Sequence, residues 1–581
     1  MAERVRRLAR AAVAIASVAA ACQREAPHAD LVIHHARIYT LAWGEPDLEG
    51  RPANGAPWDS AGGWHPDATA VAVRDGHVTY VGTDSGALAL KGPTTTVVDL
   101  AGAVLLPGMV DAHTHVAELG QSLDRVNLTA AATEADAVLL VAERAAHTPK
   151  GEWILGWGWD EGAWADRYPD KRLLSAKVPD HPVLMRGLHG FAAWTNEKAL
   201  AEAGITASTA PPVGGEIRHA ADGSPNGLFI NRAVVLVERA VPQPSAPQRD
   251  SQVVRALRAM AAAGYTGVHE AGVPRDVMAS LTRLDAADAL PIRVYAMLDG
   301  RDSTLVREWI ARGPRVGTDQ SNLAVRSVKA YYDGALGSRG ARLIADYSDR
   351  SGHRGVSGAS YGFDHRTAAD AMAAGFQVGI HAIGDEGNRA SLDFIDSVMR
   401  AAPKARGLRH RIEHAQVVQP SDIPRFAALG VIASMEPPHA VEDMPWAEER
   451  LGPERVRGAY AWRTLRRAGA SLVFSSDLPG SDWNLFYGWH SAIWRQDKKG
   501  MPPAGWYPDQ RMRPEEAVRG YSTWAAFAGF DEASGGAIAV GKRADFTAVS
   551  VDPFREASSA ALLGGAVRLT VVRGRVVAPP R

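Results

Sequence analysis

The sequence predicts an α/β fold in which a (β/α)8 TIM barrel interrupts a small β domain built from both ends of the chain. Three observations favour this fold. Short β-rich segments alternate with helical stretches through the middle of the 581-residue chain, which is the order expected of a parallel barrel. Strand-like segments with turn residues occur near both termini. Hydrophobic residues make up 46% of the chain, enough for a large core.

The two ends of the chain predict a composite β-sandwich formed by residues 30–105 and 536–581. In the first part, two β-rich segments flank Asp75-Gly76, a dipeptide typical of a hairpin turn. In the second part, residues 541–549 and 567–577 have strand character, and a glycine-centred turn divides the latter. The barrel domain is therefore expected to span residues 106–535.

Eight β-rich segments supply the strands of the expected barrel. Between them lie helical patterns such as residues 252–263, whose apolar side chains recur with helical spacing. In a barrel of this kind the active site lies at the carboxyl ends of the strands. The segments are the one that leads into His113 and residues 266–269, 292–297, 324–329, 377–381, 410–414, 430–434 and 471–477.

The interval between the first and second predicted strands is too long for one crossover helix. Residues of about 125–245 are therefore expected to form an insertion, which contains Trp157, Trp159 and His189. A block in this position, on the catalytic face, would serve as a lid or a pocket wall.

Six candidate metal ligands fall at the predicted carboxyl ends of barrel strands. His113 and His115 stand two residues apart, a spacing that points both imidazoles to one face of a strand. Neutral imidazole is a common ligand of zinc. Each residue alone also has a structural explanation, as a surface, capping or core side chain, but the joint placement favours a metal site. The other four are Lys329, His381, His414 and Asp477.

These motifs together resemble the amidohydrolase superfamily, specifically its amidohydrolase 3 or YtcJ-like branch. The resemblance covers essentially the whole chain after the first residues, and the combination of motifs is specific although each is weak alone. The segments that carry it are residues 108–115, 328–339, 381–385, 412–416, 475–479 and 541–546.

The resemblance implies a binuclear metal site. In that family the lysine of the fourth strand is often carbamylated by carbon dioxide and bridges two metals, and Lys329 matches this position. His113, His115 and Asp477 would hold one divalent ion, most simply zinc, and His381 with His414 the other. One metal or two, and the metal's identity, stay open at this point.

The expected function is metal-dependent hydrolysis of a carbon–nitrogen bond, a non-peptide amide, in a small apolar or aromatic N-acyl substrate. A divalent metal makes hydroxide available near neutral pH, and Asp477 would shuttle the proton to the leaving nitrogen. Two alternatives stay open: a deaminase or an ester or lactone hydrolase on the same scaffold, and a non-catalytic metal- or solute-binding lipoprotein of the cell envelope.

Substrate contacts are harder to predict, because packing explains the same residues equally well. The candidates lie in the insertion or just beyond the ligand-bearing strands. They are Trp157, His189, Glu270, Arg339 and His439.

Charge composition argues against nucleic-acid binding. The chain has 64 basic and 65 acidic residues, a formal net charge of −1, and no long basic run. The expected partner is a small-molecule amide. The oligomeric state stays open, with a homodimer as one option.

The first residues predict export to a bacterial cell envelope. An arginine-rich start precedes an apolar stretch, residues 11–21, that is too short to span a bilayer. It ends in Ala-Ala-Ala-Cys22, which resembles a lipobox, although Ala19 stands where leucine is usual. Residues 1–22 would then be a signal peptide, with Cys22 lipidated as the only membrane anchor. The alternative is a plain secretory signal cleaved nearby, giving a periplasmic protein.

If Cys22 is lipidated, metabolic labelling with a fatty-acid analogue should tag the wild-type protein and not the Cys22→Ser variant. Full-length, unlabelled protein in the cytosol of its native host would contradict this localisation.

Overall fold

The structure is a computed structural model that describes residues 28–159, 164, 168–187, 192–212, 215–318, 320–555 and 558–578. The predicted signal peptide with Cys22, and the candidate His189, lie outside these residues. Contacts divide the chain into two compact units, Met1–His115 with Leu257–Arg581, and Val116–Ala256. Within the described part of the chain, no helix is both long and apolar enough to cross a membrane.

The chain begins with short strands and one short helix. A four-stranded sheet has the order β6-β5-β1-β7, and β3 pairs with β4 in a separate small hairpin. The elements are β1 (Ala29–His34), β2 (Arg37–Ile38), β3 (Trp58–Asp59), β4 (Gly63–Trp64), β5 (Ala70–Arg74), β6 (His77–Gly82), α1 (Asp84–Leu88), β7 (Lys91–Asp99) and β8 (Val104–Pro107).

The predicted Asp-Gly turn joins β5 to β6. Asp75 has φ +52° and Gly76 φ +75°. Two consecutive residues with positive φ match the twist of an antiparallel hairpin, and glycine adopts this conformation without steric penalty.

The inserted unit follows the first barrel strand directly. Its mostly short strands form one sheet in the order β10-β11-β12-β13-β15-β14. The unit spans Val116–Ala256, wider at both ends than the predicted 125–245, because the helix after His115 and the first half of α7 belong to it. The elements are β9 (Met109–Thr114), α2 (Val116–Asp124), β10 (Val126–Asn127), α3 (Glu134–Ala146), β11 (Ile154–Trp159), α4 (Lys171–Lys177), β12 (Val183–Gly187), β13 (Ala192–Thr195), α5 (Glu197–Glu202), β14 (Gly215–His219), β15 (Pro225–Asn231), α6 (Val235–Glu238) and α7 (Ala246–Ala262).

Seven further parallel strands complete the barrel, whose strand order is β22-β21-β20-β19-β18-β17-β16-β9. The predicted fold class is therefore confirmed. The elements are β16 (Tyr265–Val273), α8 (Arg275–Ala286), β17 (Arg293–Asp299), α9 (Ser303–Arg312), β18 (Leu323–Tyr331), α10 (His365–Ala373), β19 (Gln377–Ala382), α11 (Asp385–Ala401), β20 (Arg411–His414), α12 (Ile423–Leu429), β21 (Ile432–Met435), α13 (Pro437–Arg455), α14 (Trp462–Arg467), β22 (Ser471–Phe474), α15 (Leu485–Trp494), α16 (Pro514–Gly520) and α17 (Thr523–Ala528).

Both ends of the chain share one hydrophobic core. The carboxyl-terminal strands complete a five-stranded sheet in the order β2-β8-β23-β24-β25. Ile33 and Val71 of the first sheet pack in the same buried cluster as Leu105, Phe546 and Leu569 of the second. The last elements are β23 (Phe546–Val549), α18 (Ser559–Leu563), β24 (Val567–Val572) and β25 (Arg575–Ala578).

The candidate metal centre

The ligands predicted from the first and last barrel strands lie side by side. His113 is the penultimate residue of β9, His115 lies just beyond the strand, and Asp477 follows β22. Asp477 Oδ1 lies 3.1 Å from His115 Nε2 and 3.6 Å from His113 Nε2. Two imidazole nitrogens and a carboxylate oxygen this close can share one divalent cation.

Backbone hydrogen bonds hold these two strand ends together. The Asp477 amide donates to the His113 carbonyl at 3.0 Å, and the His115 amide donates to the Leu478 carbonyl at 3.0 Å. The buried Asp111 carboxylate accepts the Ser476 amide at 3.0 Å and the Ser476 hydroxyl at 2.6 Å. The position of Asp477 is therefore fixed by both chain segments.

Two of the candidate ligands have backbone conformations that are uncommon for residues other than glycine. Asp477 has φ +61° and His414 has φ +74°. Such conformations persist where the surrounding structure determines them, and they concentrate at functional sites. Here they turn both side chains into the mouth of the barrel, where the other ligands lie.

A second group of possible ligands shares Asp477. His414, His439 and Asp477 also offer ligand atoms within 4.8 Å of one another. His439 Nε2 lies 3.8 Å from Asp477 Oδ2, the oxygen that does not face His115. The carboxylate of Asp477 therefore presents one oxygen to each group of histidines.

His381, at the end of β19, lies beside the second group. Its ring centroid is 4.4 Å from that of His414, and its Nε2 is buried without a hydrogen-bond partner among the described residues. The nearest carboxylate, Asp333, is 3.9 Å from this nitrogen and accepts the Ile383 and Gly384 amides instead, each at 2.9 Å. Burial raises the pKa of Asp333 to about 7.

Lys329 lies at the floor of the site, with only 1% of its surface exposed. Its Nζ is 2.8 Å from His113 Nε2, the same atom that faces Asp477. Burial lowers the pKa of the Lys329 amine. The predicted lysine is thus in reach of the first group of ligands.

Two buried glutamates fix the orientation of two histidines. Glu413 Oε2 is 2.7 Å from His113 Nδ1, and Glu436 Oε2 is 2.9 Å from His414 Nδ1. A carboxylate accepts the proton of Nδ1, so Nε2 of each ring is left with its lone pair for a metal.

Arg411 holds Glu413 in turn. Its Nη2 donates to Glu413 Oε2 at 2.9 Å, to the Ala112 carbonyl at 2.7 Å and to Ser434 Oγ at 2.8 Å, and the guanidinium is fully buried. Removing either partner would leave the other as an unpaired buried charge, so this pair gives His113 a rigid support.

The electrostatics of the site favour metal-binding protonation states at His113, His381 and Asp477, but not at His115. Burial holds the pKa of His113 and of His381 well below the usual range, so both are neutral near pH 7. Burial opposes ionisation of Asp477, but the hydrogen bond to His115 and the nearby His113 and His414 hold its pKa well below the usual range. For His115, burial lowers the pKa, but the bond to Asp477 outweighs it and raises the pKa.

The amidohydrolase family model matches residues 96–578, which include all of these side chains. The chain belongs to the amidohydrolase family. Members of this family are metal-dependent, and the resemblance predicted from the motifs is confirmed.

Individual relatives of this amidohydrolase cover most of its length. It is 31% identical to the putative amidohydrolase YtcJ of Bacillus subtilis (strain 168), over 87% of this chain and 95% of that protein. It is 27% identical to the N-substituted formamide deformylase of Arthrobacter pascens, over 84% of this chain and 90% of that protein. The crystal structure of an uncharacterized metal-dependent hydrolase from Pyrococcus horikoshii OT3 superposes with a TM-score of 0.71 at 23% identity, over 90% of this chain and 98% of that chain, which shows the shared fold.

Two of the predicted substrate contacts lie at the metal centre of the amidohydrolase. Glu270, buried on β16, accepts a hydrogen bond from Thr114 Oγ1 at 3.0 Å, so it supports the strand end between His113 and His115. Burial lowers the pKa of His439, but the nearby Glu436 and Asp477 carboxylates raise it by more, so the net shift is upward.

The other predicted contacts are placed differently. Arg339 pairs with Asp349 at 2.6 Å, so its guanidinium already has a carboxylate partner. Trp157 lies half-buried on β11 of the inserted unit, and His189 lies outside the described residues.

No role was predicted for Glu413 and Glu436, although both stand close to predicted ligands in the sequence. Strand alternation places Glu413 and His414 on opposite faces. The positive φ of His414 breaks that alternation, so both side chains face the barrel interior. The available signal was the presence of acidic residues in the Glu-His and Glu-Pro-Pro-His segments.

We expect Glu413→Gln to weaken zinc binding by about 10- to 100-fold, because the charged acceptor of His113 Nδ1 is replaced by a neutral amide, which is a weaker acceptor and can turn its NH2 group to the ring instead. Competition with a chromogenic chelator measures the zinc dissociation constant. Glu308→Gln is the matched control, since Glu308 forms a solvent-exposed ion pair with Arg275 and is not among the residues of the candidate metal centre. Equal zinc affinity in the wild type and in a folded Glu413→Gln variant would contradict this role.

Proposed function

We propose that this amidohydrolase hydrolyses a carbon–nitrogen bond, other than a peptide bond, in a small amide substrate. The observation that carries the proposal is the placement of Asp477. Its Oδ1 belongs to the group with His113 and His115, while its Oδ2 faces His439 in the mouth of the barrel. This arrangement supports a double role for one carboxylate, in which it would hold a metal and exchange a proton with a bound substrate.

The residues of the site fit a divalent metal, which we propose to be zinc. His113, His115 and Asp477 would hold one ion. A second would use His414, with His381 as the motifs suggest or with His439 as the distances permit. When bound, the metal supplies a Lewis acid and lowers the pKa of water.

In the proposed reaction, water adds to the amide carbonyl and the bond to nitrogen breaks. Asp477 accepts the proton that the water loses and returns it to the departing nitrogen, which leaves as an amine while the acyl part leaves as a carboxylic acid. Glu413 and Glu436 keep His113 and His414 in fixed orientations throughout.

We also propose that Lys329 carries a carbamate. As an ammonium it would place a positive charge 2.8 Å from the His113 nitrogen that faces the metal group, and so would oppose metal binding. The neutral amine can instead attack carbon dioxide, forming a nitrogen–carbon bond and releasing one proton. The resulting carbamate offers two anionic oxygens, as a carboxylate would.

The formamide deformylase relative supports an amide substrate, since its name describes cleavage of N-substituted formamides. Tryptophans of the insertion would favour the expected apolar or aromatic substrate if they lined its pocket. Trp159 and Trp194 are fully buried and pack with Trp164 in the core of the inserted unit. Packing of the core explains these tryptophans, so they are no evidence for an apolar pocket. The proposal therefore includes both polar and apolar small amides.

The deaminase and ester-hydrolase alternatives would use the same groups, so substrate turnover decides between them. The zinc-loaded enzyme should be tested on N-substituted formamides and acetamides, a matched ester and lactone, and an aminopurine. We expect faster turnover of at least one amide than of its matched ester. Turnover restricted to the ester, the lactone or the aminopurine would overturn the assignment, and turnover of none would favour a non-catalytic binding protein.

Asp477→Asn should lower kcat by about 10²–10⁴-fold on the best amide, because the amide side chain can neither accept nor return the proton. The matched control is Asp482→Asn, a nearby carboxylate that pairs with Lys498. Metal content must be measured on each variant. An Asp477→Asn enzyme with full metal content and activity within a few-fold of wild type would rule out the proton-transfer role.

For Lys329, three results are expected if the carbamate forms. Metal-loaded enzyme prepared with 13C-bicarbonate should show a carbamate carbon signal that Lys329→Ala lacks. Lys329→Ala should bind less metal and lose most activity, and acetate or propionate should restore part of both by occupying the place of the carbamate. An unmodified lysine in a fully metal-loaded crystal, with no effect of bicarbonate on metal uptake, would contradict the carbamate.

We propose that the enzyme acts in the bacterial cell envelope, tethered through Cys22. The support is the composition of residues 1–22, and the fatty-acid labelling described above is its test.

A further inference from the structure

A separate cavity lies at the opposite end of the barrel from the metal centre. It has a volume of about 280 Å³ and is formed by the first residues of β9, β16, β17 and β18 together with residues 525–545. We call it the amino-end cavity. Its lining includes Asn322, Arg326 and Phe530, and all of its lining residues belong to one of the two compact units.

Arg326 lies in this cavity at a β-bulge. On β17 and β18, Ala296 pairs with Val325 and Met297 pairs with Ser327, so Arg326 is an extra residue without a partner position. A bulge of this kind redirects one side chain, and bulges are frequent beside binding and active sites. The structure thus departs from regular strand geometry at the residue that brings a charge into the cavity.

The charge of Arg326 has no ionic partner among the described residues. Its Nε is buried without a hydrogen bond, and its guanidinium lies 3.6 Å from the ring centroid of Phe530. The other two arginines of the cavity are paired, Arg293 with Asp545 at 2.7 Å and Arg543 with Asp531 and Asp545. The lining therefore carries one surplus positive charge, at Arg326.

Asn322 adds an unsatisfied acceptor to the same cavity. It is only 8% exposed, and its Nδ2 donates to the Leu290 carbonyl at 2.8 Å. Its Oδ1 is buried without a hydrogen bond among the described residues. Buried polar atoms are normally paired, so an orphan donor and an orphan acceptor in one cavity suggest a ligand that satisfies both.

We propose that the amino-end cavity binds a small carboxylate that also carries an O–H or N–H donor. The carboxylate would accept hydrogen bonds from the planar guanidinium of Arg326, which suits this geometry and stays stacked on Phe530. The donor group would bond Asn322 Oδ1. A cavity of about 280 Å³ is near the lower end of ligand pockets, so it has room for a small carboxylate of this kind.

This site is independent of the reaction proposed above, because it uses none of the candidate metal ligands. Titration calorimetry of the metal-loaded full-length enzyme with glycolate tests it, since glycolate carries one carboxylate and one hydroxyl. Acetate, which lacks the donor, is the matched ligand. We expect a saturable glycolate site, with acetate binding more weakly by about tenfold because Asn322 Oδ1 stays unpaired.

Arg326→Gln should weaken glycolate binding by at least about tenfold, since the charged hydrogen bonds are lost. Arg312→Gln is the matched control: Arg312 also lies over an aromatic ring, that of Trp309, but it is exposed and outside the cavity. Glycolate bound at the metal centre would be unaffected by either change, so only the component lost in Arg326→Gln reports this site.

Asn322→Ala provides a second test if Arg326→Gln fails to fold. It should abolish the preference for glycolate over acetate while leaving acetate affinity unchanged. The proposal is overturned by the absence of a saturable site, by equal binding in Arg326→Gln and wild type, or by a glycolate preference that survives in Asn322→Ala.

Discussion

The contact between Asp477 and the two histidines of the first strand is the interaction on which the site depends. It joins the last barrel strand to the first, and backbone hydrogen bonds between His113, Leu478 and their neighbours run beside it. The ligands therefore come together only when the barrel is closed. Metal binding and barrel closure should stabilise each other for this reason.

The charges of the buried side chains around Asp477 explain why this contact needs a metal ion. Glu413, Glu436 and Asp477 bring three carboxyl groups into the barrel mouth, and the buried basic side chains near them are those of Lys329 and Arg411. Buried charges of one sign are unfavourable unless they are balanced. A divalent cation between the histidines would supply that balance, and a carbamate in place of the Lys329 ammonium would make the site still more attractive to it.

Sequence periodicity was sufficient to predict the barrel, because eight buried parallel strands with intervening helices leave a repeated pattern. The six candidate ligands were chosen from their places at the predicted strand ends. Periodicity was not sufficient for Glu413, because strand alternation assigns that residue to the wrong face when His414 has a positive φ. Nor did it find Arg326, whose bulge is visible only in the pairing register. Arg339 looked free in the sequence because Asp349, its partner, has no recognisable spacing to it.

The inserted unit begins at Val116, the residue directly after His115, and ends within the helix α7. Its two attachment points are therefore unequal. One is a single peptide bond from a candidate metal ligand, whereas the other lies inside a continuous helix that also belongs to the barrel. Exchange of this unit between relatives, by recombination or by engineering, would preserve the catalytic strand ends only if the first splice site left His115 and the hydrogen bond from its amide to the Leu478 carbonyl intact.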